Sequence, residues 1–228
     1  MKACRTSLLL LAAALLAAPA LASPAPAIGP DHGQFRILLR GRSVGTEDFT
    51  IAREGEGWSA RSSIRLHLPG RKEEQDTAAL SLGAHGSPIR YRWTGHSARV
   101  RSIQVAFSGH AARVTLRQPG SAPAVEAFSF PPGPVVVLDN NVYAQYAILA
   151  RLYNWKAGGP QKFSVLIPQD QVPGTVTVES RGKRRVAGTT LDLLAVKSPD
   201  LEVDLYVDAA RRPMILRVPG SGAEIVRQ

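Results

Sequence analysis

Apolar and polar residues alternate with a period of two along most of the chain. In residues 58–68, apolar or small side chains occupy the even positions, and polar side chains such as Arg61 and His67 occupy the odd ones. This alternation is typical of a strand with one buried face and one wet face. Similar runs recur at a spacing of about 8–12 residues with short turns between them, which predicts hairpins throughout and no parallel crossover units.

One segment breaks this pattern. Residues 142–155 are apolar except at Gln145, Arg151 and Asn154, which predicts a helix at about 140–156. A helix that is apolar on almost every side must be surrounded by other groups. About fourteen residues are too few for a membrane span, which needs about twenty.

The two patterns together predict the fold class. We expect an all-β dominated (α+β) domain: a single, strongly curved antiparallel sheet or unclosed barrel of about 11–14 strands wrapped around that helix. Asp139 or Asn140 is the predicted helix N-cap.

The N-terminus has the pattern of a secretory signal peptide. Lys2 and Arg5 precede an apolar run at residues 8–16, and small residues end at Ala22. Residues 1–22 are therefore predicted to be removed on secretion, with the bacterial periplasm as the expected compartment and no transmembrane segment in the mature chain.

Cys4, which lies inside the predicted signal peptide, is the chain's one cysteine. The mature chain would then have no thiol and no disulfide, and its fold would depend on core packing. Residues 23–33 read as a Pro-rich tether and residues 34–228 as a single curled β-domain containing the helix.

Three segments resemble the periplasmic unclosed-barrel group of the lipoprotein carriers LolA and LolB and related uncharacterised secreted bacterial families. They are the strand at residues 201–208 that ends in Asp, the following residues 212–218 that begin Arg-Pro-Met, and the Gly-x-Phe-x-Ile segment at residues 33–37. The resemblance implies a concave apolar face that holds acyl chains. The chain departs from that group because no lipidation cysteine follows its signal peptide and more strands precede its helix.

The charge balance is strongly basic. The chain has 28 Lys and Arg residues against 18 Asp and Glu, a formal net charge of +10. This balance favours an anionic envelope surface or envelope protein as a partner. Nucleic acid is not expected, because no recognised motif accompanies the charge. Six arginines share the outward phase of successive strands and are candidates for contact with an anionic surface: Arg61, Arg65, Arg90, Arg92, Arg113 and Arg117.

Motifs for catalysis are absent from the sequence. It has no Gly-x-Ser-x-Gly elbow, no His-Glu-x-x-His, no phosphate-binding Gly loop and no acidic calcium loop. We therefore assign no catalytic residue, no metal ligand and no cofactor. A small hydrolase with a site assembled in space is the third and weakest functional class.

Aromatic side chains on the inward phase and on the helix are candidates to line a cavity between sheet and helix. The candidate set is Trp58, Tyr91, Trp93, Phe107, Tyr143, Tyr146, Leu149 and Tyr153. The first functional hypothesis is a secreted, non-enzymatic protein that binds a hydrophobic or amphipathic, lipid-like ligand there. The alternative is a cell-envelope structural or assembly partner with a filled core that acts through its Arg-rich face. Sequence leaves a cavity and a filled core equally open, because it does not give the curvature of the sheet.

Overall fold

The computed structural model describes residues 28–68, 70, 72–95 and 102–228, so the predicted signal peptide lies outside the described residues. The described residues form one sheet of fifteen strands and one helix. The elements are β1 (Asp31–Leu39), β2 (Arg42–Glu54), β3 (Gly57–Leu66), β4 (Glu74–Leu82), β5 (Pro88–Thr94), β6 (Ser102–Ser108), β7 (Ala111–Arg117), β8 (Ala124–Ser129), β9 (Val135–Val137), α1 (Ala144–Leu152), β10 (Gln161–Ile167), β11 (Val172–Val186), β12 (Thr189–Lys197), β13 (Glu202–Val207), β14 (Pro213–Val218) and β15 (Ala223–Arg227).

The sheet is curved and unclosed. Its strand order runs from β8 down to β1, continues through β15 and ends at β9. The last strand therefore pairs with the first, with Phe35 opposite Arg227. Although β9 comes close to β5, no ladder joins β8 to β9 among the described residues. This architecture confirms the predicted fold class, with fifteen strands where about 11–14 were expected.

The expectation of hairpins throughout is wrong at one connection. The short strand β9 pairs with β10 in parallel, with Val136 opposite Val165. The chain leaves β9, passes through α1 and returns beside β9. A parallel pair needs a crossover of this kind, and here the crossover helix lies inside the curved sheet.

The helix is shorter than predicted. Only Ala144–Leu152 is helical, and its N-cap is Tyr143, whose side chain makes no capping hydrogen bond. Neither Asp139 nor Asn140 caps it, because Asn141 has a left-handed backbone (φ 61°) and turns the chain just before the helix begins. At the other end, Tyr153 is extended (ψ 126°), which stops the helix.

The helix and the inward faces of the strands form one hydrophobic core. Ile148 and Leu149 are buried together with Ile64, Trp93 and Leu205, and helix residues approach β3 and β14 directly. This grouping agrees with the predicted packing of the helix against the inward strand positions. Because almost every helix position is buried, the hydrophobic effect fixes α1 inside the sheet.

The predicted tether is packed in its second half. β1 begins at Asp31, and Ile28 is buried against the end of the helix. A Cβ placed on Gly86 would lie 2.7 Å from both Ile28 and Leu152, so glycine is needed where these side chains close one end of the barrel. The tether prediction for residues 28–33 is therefore wrong; an apolar Ile28 and a paired Asp31 attach this segment to the domain.

Candidate ligand cavity

A cavity of about 550 Å³ lies at the rim of the barrel where the helix begins. Its volume falls within the range of about 300–1,000 Å³ that is usual for small-molecule sites. The lining residues come from the segment before the helix, from β10 and β11, and from the loops at the same rim: Leu138, Asp139, Asn140, Asn141, Tyr143, Tyr146, Val165, Ile167, Val172, Pro173, Gly174, Thr175, Val176, Ser198, Pro199, Asp200, Leu201, Val203 and Val218.

The inner wall of this cavity is apolar because of strand periodicity. Val165, Val176 and Val203 are buried and lie on the inward phase of β10, β11 and β13. Tyr143 and Tyr146 face them from the start of the helix. Strand and helix therefore present their apolar sides to one space that neither fills.

Asp139 fixes the segment between β9 and the helix. Its carboxylate accepts hydrogen bonds from the Tyr91 hydroxyl (2.6 Å) and the Gln169 backbone N–H (2.9 Å), while its own N–H donates to the Gln145 amide oxygen (2.5 Å). Burial raises the pKa of Asp139 to about 6, although the hydrogen bonds that its carboxylate accepts from Tyr91 and Gln169 lower it. The bonds join β5, the β10–β11 loop and the helix at the inner edge of the cavity.

Glu47 caps the helix from across the barrel. This β2 residue is fully buried, and its carboxylate accepts hydrogen bonds from the backbone N–H groups of Tyr143 (2.8 Å) and Ala144 (3.2 Å) and from the Ser62 hydroxyl (2.6 Å). Burial raises the pKa of Glu47 to about 7, against the lowering effect of those three bonds. A side chain distant in sequence thus satisfies N–H groups that a local N-cap would normally satisfy.

Sequence reasoning missed Glu47, although a signal for it was present. Glu47 occupies the same strand phase as Phe49 and Ile51, both of which are buried. An acid on the inward phase of a strand needs a partner inside the protein. The strand pattern could therefore have marked Glu47 as a buried carboxylate, but its partner could not have been found from the sequence.

The opposite rim is closed by charged groups. Asp31 accepts hydrogen bonds from Arg151 of the helix (3.0 Å) and from Arg227 of β15 (2.7 Å), and both the aspartate and Arg151 are buried. The Arg211 guanidinium stacks over Trp155 at 3.6 Å from the ring centroid. These contacts anchor the C-terminal half of the helix, so the cavity opens at the other end.

The predicted cavity residues divide into two groups. Tyr143 and Tyr146 line the 550 Å³ cavity. The other six do not: Trp58, Tyr91, Trp93, Leu149 and Tyr153 are buried in the core, and Phe107 is partly buried against it. They fill space because β3 and the helix are in direct contact, whereas the space between the helix and β10–β13 remains open at the rim.

The six predicted surface arginines are all exposed, but their surroundings differ. Arg61 forms an ion pair with Glu54 (3.3 Å) and Arg65 with Asp48 (2.9 Å). The other four have no ion pair with any described residue and lie on β5 and β7: Arg90, Arg92, Arg113 and Arg117. Strand register places Arg90 opposite Ala106, which lies opposite Arg113, so the two strands carry their arginines on one face.

A wider groove of about 690 Å³ crosses the outward face of β1–β5. Its lining includes the outward residues Thr50, Ser63, Thr77 and Ala79, with Arg61 among those around them. Because this groove is wide open and its floor consists of small residues, it offers a ligand less enclosure than the rim cavity.

Comparison with known proteins shows the fold and no family. No family model and no curated protein matches the sequence. Among solved structures, the chain is similar to a β-barrel-like protein of the domain of unknown function DUF1849 from Brucella abortus, with a TM-score of 0.55 and 8% identity over 87% of this chain and 95% of that one. A DUF1089 family protein from Pseudomonas aeruginosa gives a TM-score of 0.49 and 13% identity over 81% and 94%. The first likeness is consistent with an unclosed β-barrel group.

The described residues contain no cluster of three or more His, Cys, Asp or Glu side chains placed to hold a metal ion. In the same part of the chain, no helix has the length and apolar character to cross a membrane.

Proposed function

We propose that this protein binds a hydrophobic or amphipathic ligand in the rim cavity and is a carrier in the bacterial periplasm. The observation that carries the proposal is the 550 Å³ space with an apolar inner wall, open at the rim where the helix begins. The signal-peptide pattern of residues 1–22 and the sequence resemblance to LolA and LolB support the same role.

The mechanism is sequestration of apolar surface from water. An alkyl chain that removes about 200 Å² of its surface from water gains about 5 kcal/mol at about 25 cal/mol per Å². A gain of that size corresponds to a dissociation constant of about 0.2 mM. Losses of ligand freedom weaken binding further, so the expected dissociation constant lies between about 0.2 mM and a few millimolar. Asp139 holds the segment before the helix to the β10–β11 loop, and Glu47 holds the first residues of the helix. The cavity wall is therefore in place before the ligand arrives. A preformed wall avoids the cost of ordering it on binding.

Mass spectrometry of the purified mature protein and a thermal-shift series test this proposal. We expect single-chain amphiphiles to raise the melting temperature, by an amount that corresponds to about 2.7 kcal/mol at a hundred times the dissociation constant. Leu201 is half-buried in the cavity wall, so Leu201→Trp should fill the space and abolish the shift. Leu39, another partly exposed leucine at the same rim, lies outside the cavity, and Leu39→Trp is the matched control. Equal shifts for both variants would overturn the proposal.

A second function is favoured by one observation. The outward face of β5–β7 carries four arginines without an ion pair to any described residue, beside an exposed Val125 on the edge strand β8. This face supports the alternative of a cell-envelope partner that contacts an anionic surface.

Vesicle sedimentation tests that alternative. The double variant Arg90→Ser/Arg113→Ser should weaken binding to vesicles that contain anionic lipid. The ion-paired Arg61→Ser is the control. Binding should also weaken as salt is raised from about 50 to 300 mM, because the contact is electrostatic. No binding by the unmodified protein at low salt would remove this function.

A further inference from the structure

The rim cavity has no cationic side chain. None of its 19 lining residues is Lys, Arg or His, as far as the described chain extends, although 28 of the 228 residues of the protein are Lys or Arg. Its two ionisable carboxylates are Asp139 and Asp200. The basic character of the chain therefore does not extend to the rim cavity.

The mouth of the cavity carries an exposed carboxylate. Asp200 is exposed on the β12–β13 loop and has no hydrogen bond or ion pair with a described residue. Its neighbour Ser198 contributes a hydroxyl that already accepts the Leu201 N–H at 3.1 Å. The nearest cation along the chain, Lys197, is engaged with Glu202 at 2.6 Å. A ligand head group at this mouth thus meets an uncompensated carboxylate.

The start of the helix does not reverse this polarity. A helix N-terminus normally attracts anions because of its free N–H groups. Here the N–H groups of Tyr143 and Ala144 donate to Glu47, which lies behind the cavity wall. An anionic ligand would therefore enter a cavity without a counter-ion, next to carboxylates of the same sign, and both conditions oppose binding.

We propose that the rim cavity selects amphiphiles whose head group is cationic or neutral and donates hydrogen bonds, with Asp200 as the residue that discriminates against anionic head groups. This inference rests on the proposed carrier function and specifies its ligand class. The proposed preference for cations is opposite to the one expected from long-range electrostatics, because a chain with a net charge of +10 attracts anions in bulk solution. A preference for cations must then arise locally.

A series of amphiphiles with one chain length separates these effects. Dodecylammonium, dodecyl maltoside and dodecyl sulfate share an alkyl chain and differ in head-group charge. Each is titrated below its micelle concentration, with binding measured by calorimetry and thermal shift. We expect the cationic compound to bind at least about tenfold more tightly than the anionic one, a difference of about 1.4 kcal/mol. The preference should shrink as salt is raised, because the Asp200 carboxylate is exposed.

Variants identify the discriminating group. Asp200→Asn keeps the size of the side chain and removes its charge, so the preference for the cation should fall toward parity. Asp170 lies exposed on the β10–β11 loop at the same rim but does not line the cavity, and Asp170→Asn should leave the preference unchanged.

The outcomes distinguish this inference from the function on which it rests. If all three compounds fail to bind, both are overturned. If the anion binds as tightly as the cation, and Leu201→Trp blocks both, the carrier function stands and the inference is overturned. If the cation is preferred but Asp200→Asn does not alter the preference, the assignment to Asp200 is wrong.

Discussion

The buried carboxylate Glu47 gives the protein a stability that depends on pH, and the substitution Glu47→Gln tests this directly. The side chain is 0% exposed and accepts hydrogen bonds from two helix N–H groups and the Ser62 hydroxyl. Glutamine has the same length and keeps one acceptor oxygen for the helix, but it cannot ionise. The substitution therefore removes the proton equilibrium while changing the packing little.

The sign of the effect follows from the pKa of Glu47 in the two states. The folded-state pKa is about 7 and the ordinary value is 4.5, so the folded protein holds this proton more tightly than the unfolded chain. The free energy of unfolding must then fall as pH rises from about 4.5 to 7 and level off above that range. At about 1.4 kcal/mol per pH unit, the loss is at most about 3 kcal/mol.

Urea unfolding at pH 5 and pH 8, followed by tryptophan fluorescence, measures this loss. The unmodified protein should be less stable at pH 8, and Glu47→Gln should show a smaller difference between the two pH values. In Glu47→Gln, a smaller fall in the free energy of unfolding should remain because of Asp139. The pKa of Asp139 is about 6 against an ordinary 3.8, so its contribution to the fall ends near pH 6. Glu56 in the exposed β2–β3 turn provides the control, and Glu56→Gln should behave like the unmodified protein.

Two results would refute this reasoning. One is equal stability of the unmodified protein at both pH values; the other is a pH dependence that Glu47→Gln leaves intact. Glu47→Ala adds an independent check, because it leaves the N–H groups of Tyr143 and Ala144 without a partner. An unsatisfied buried group costs about 1–3 kcal/mol, so this variant should be the least stable at pH 5, where the charge itself contributes little.

Three further predictions concern stability. Leu149→Ala should lower the free energy of unfolding by about 2–5 kcal/mol, because Leu149 is fully buried. Leu39→Ala, at the partly exposed rim, should lower it by less than about 1.5 kcal/mol. Denaturant unfolding that ranks the two variants in the opposite order would contradict the helix packing. Asp31→Asn should lower the free energy of unfolding by about 3–5 kcal/mol, because Arg151 and Arg227 keep their charges and lose the carboxylate that pairs with them. A loss below about 1 kcal/mol would show that water screens the two arginines. Gly45→Ala should lower the melting temperature, since a Cβ there would clash with the Arg65 carbonyl oxygen. Gly174→Ala, where the nearest atom would lie 3.5 Å from the new Cβ, should be tolerated.

The sequence alone determined the strands and the presence of the helix, because both depend on local periodicity. A period of two requires only that one face of each strand be buried, and residues 60–66 of strand β3 alternate between buried and exposed without exception. An apolar run with few polar interruptions requires surrounding groups, so the helix had to lie inside a sheet. The exposure of the six predicted surface arginines also followed from the alternation, since all six lie on the outward side of their strands and are exposed.

The tertiary structure decided how the polar groups inside the barrel are satisfied. Glu47 lies 97 residues before Ala144, whose N–H it accepts, and Asp31 lies 196 residues before Arg227. Such pairs arise only when the sheet curves and brings its two halves together, and no local rule specifies them. The helix boundary depended on the same contact, because its N-terminal cap comes from β2.

The cavity was likewise beyond the sequence. In the sequence, Tyr143 and Tyr91 are equal candidates to line an apolar cavity. In the structure, Tyr143 lines the cavity and Tyr91 is 0% exposed in the core. The difference depends on curvature: the sheet contacts the helix at β3 and leaves a gap toward β10–β13. Curvature is the sum of many small twists between neighbouring strands, together with the bulges that shift their register, and neither is encoded by the alternation of polar and apolar residues.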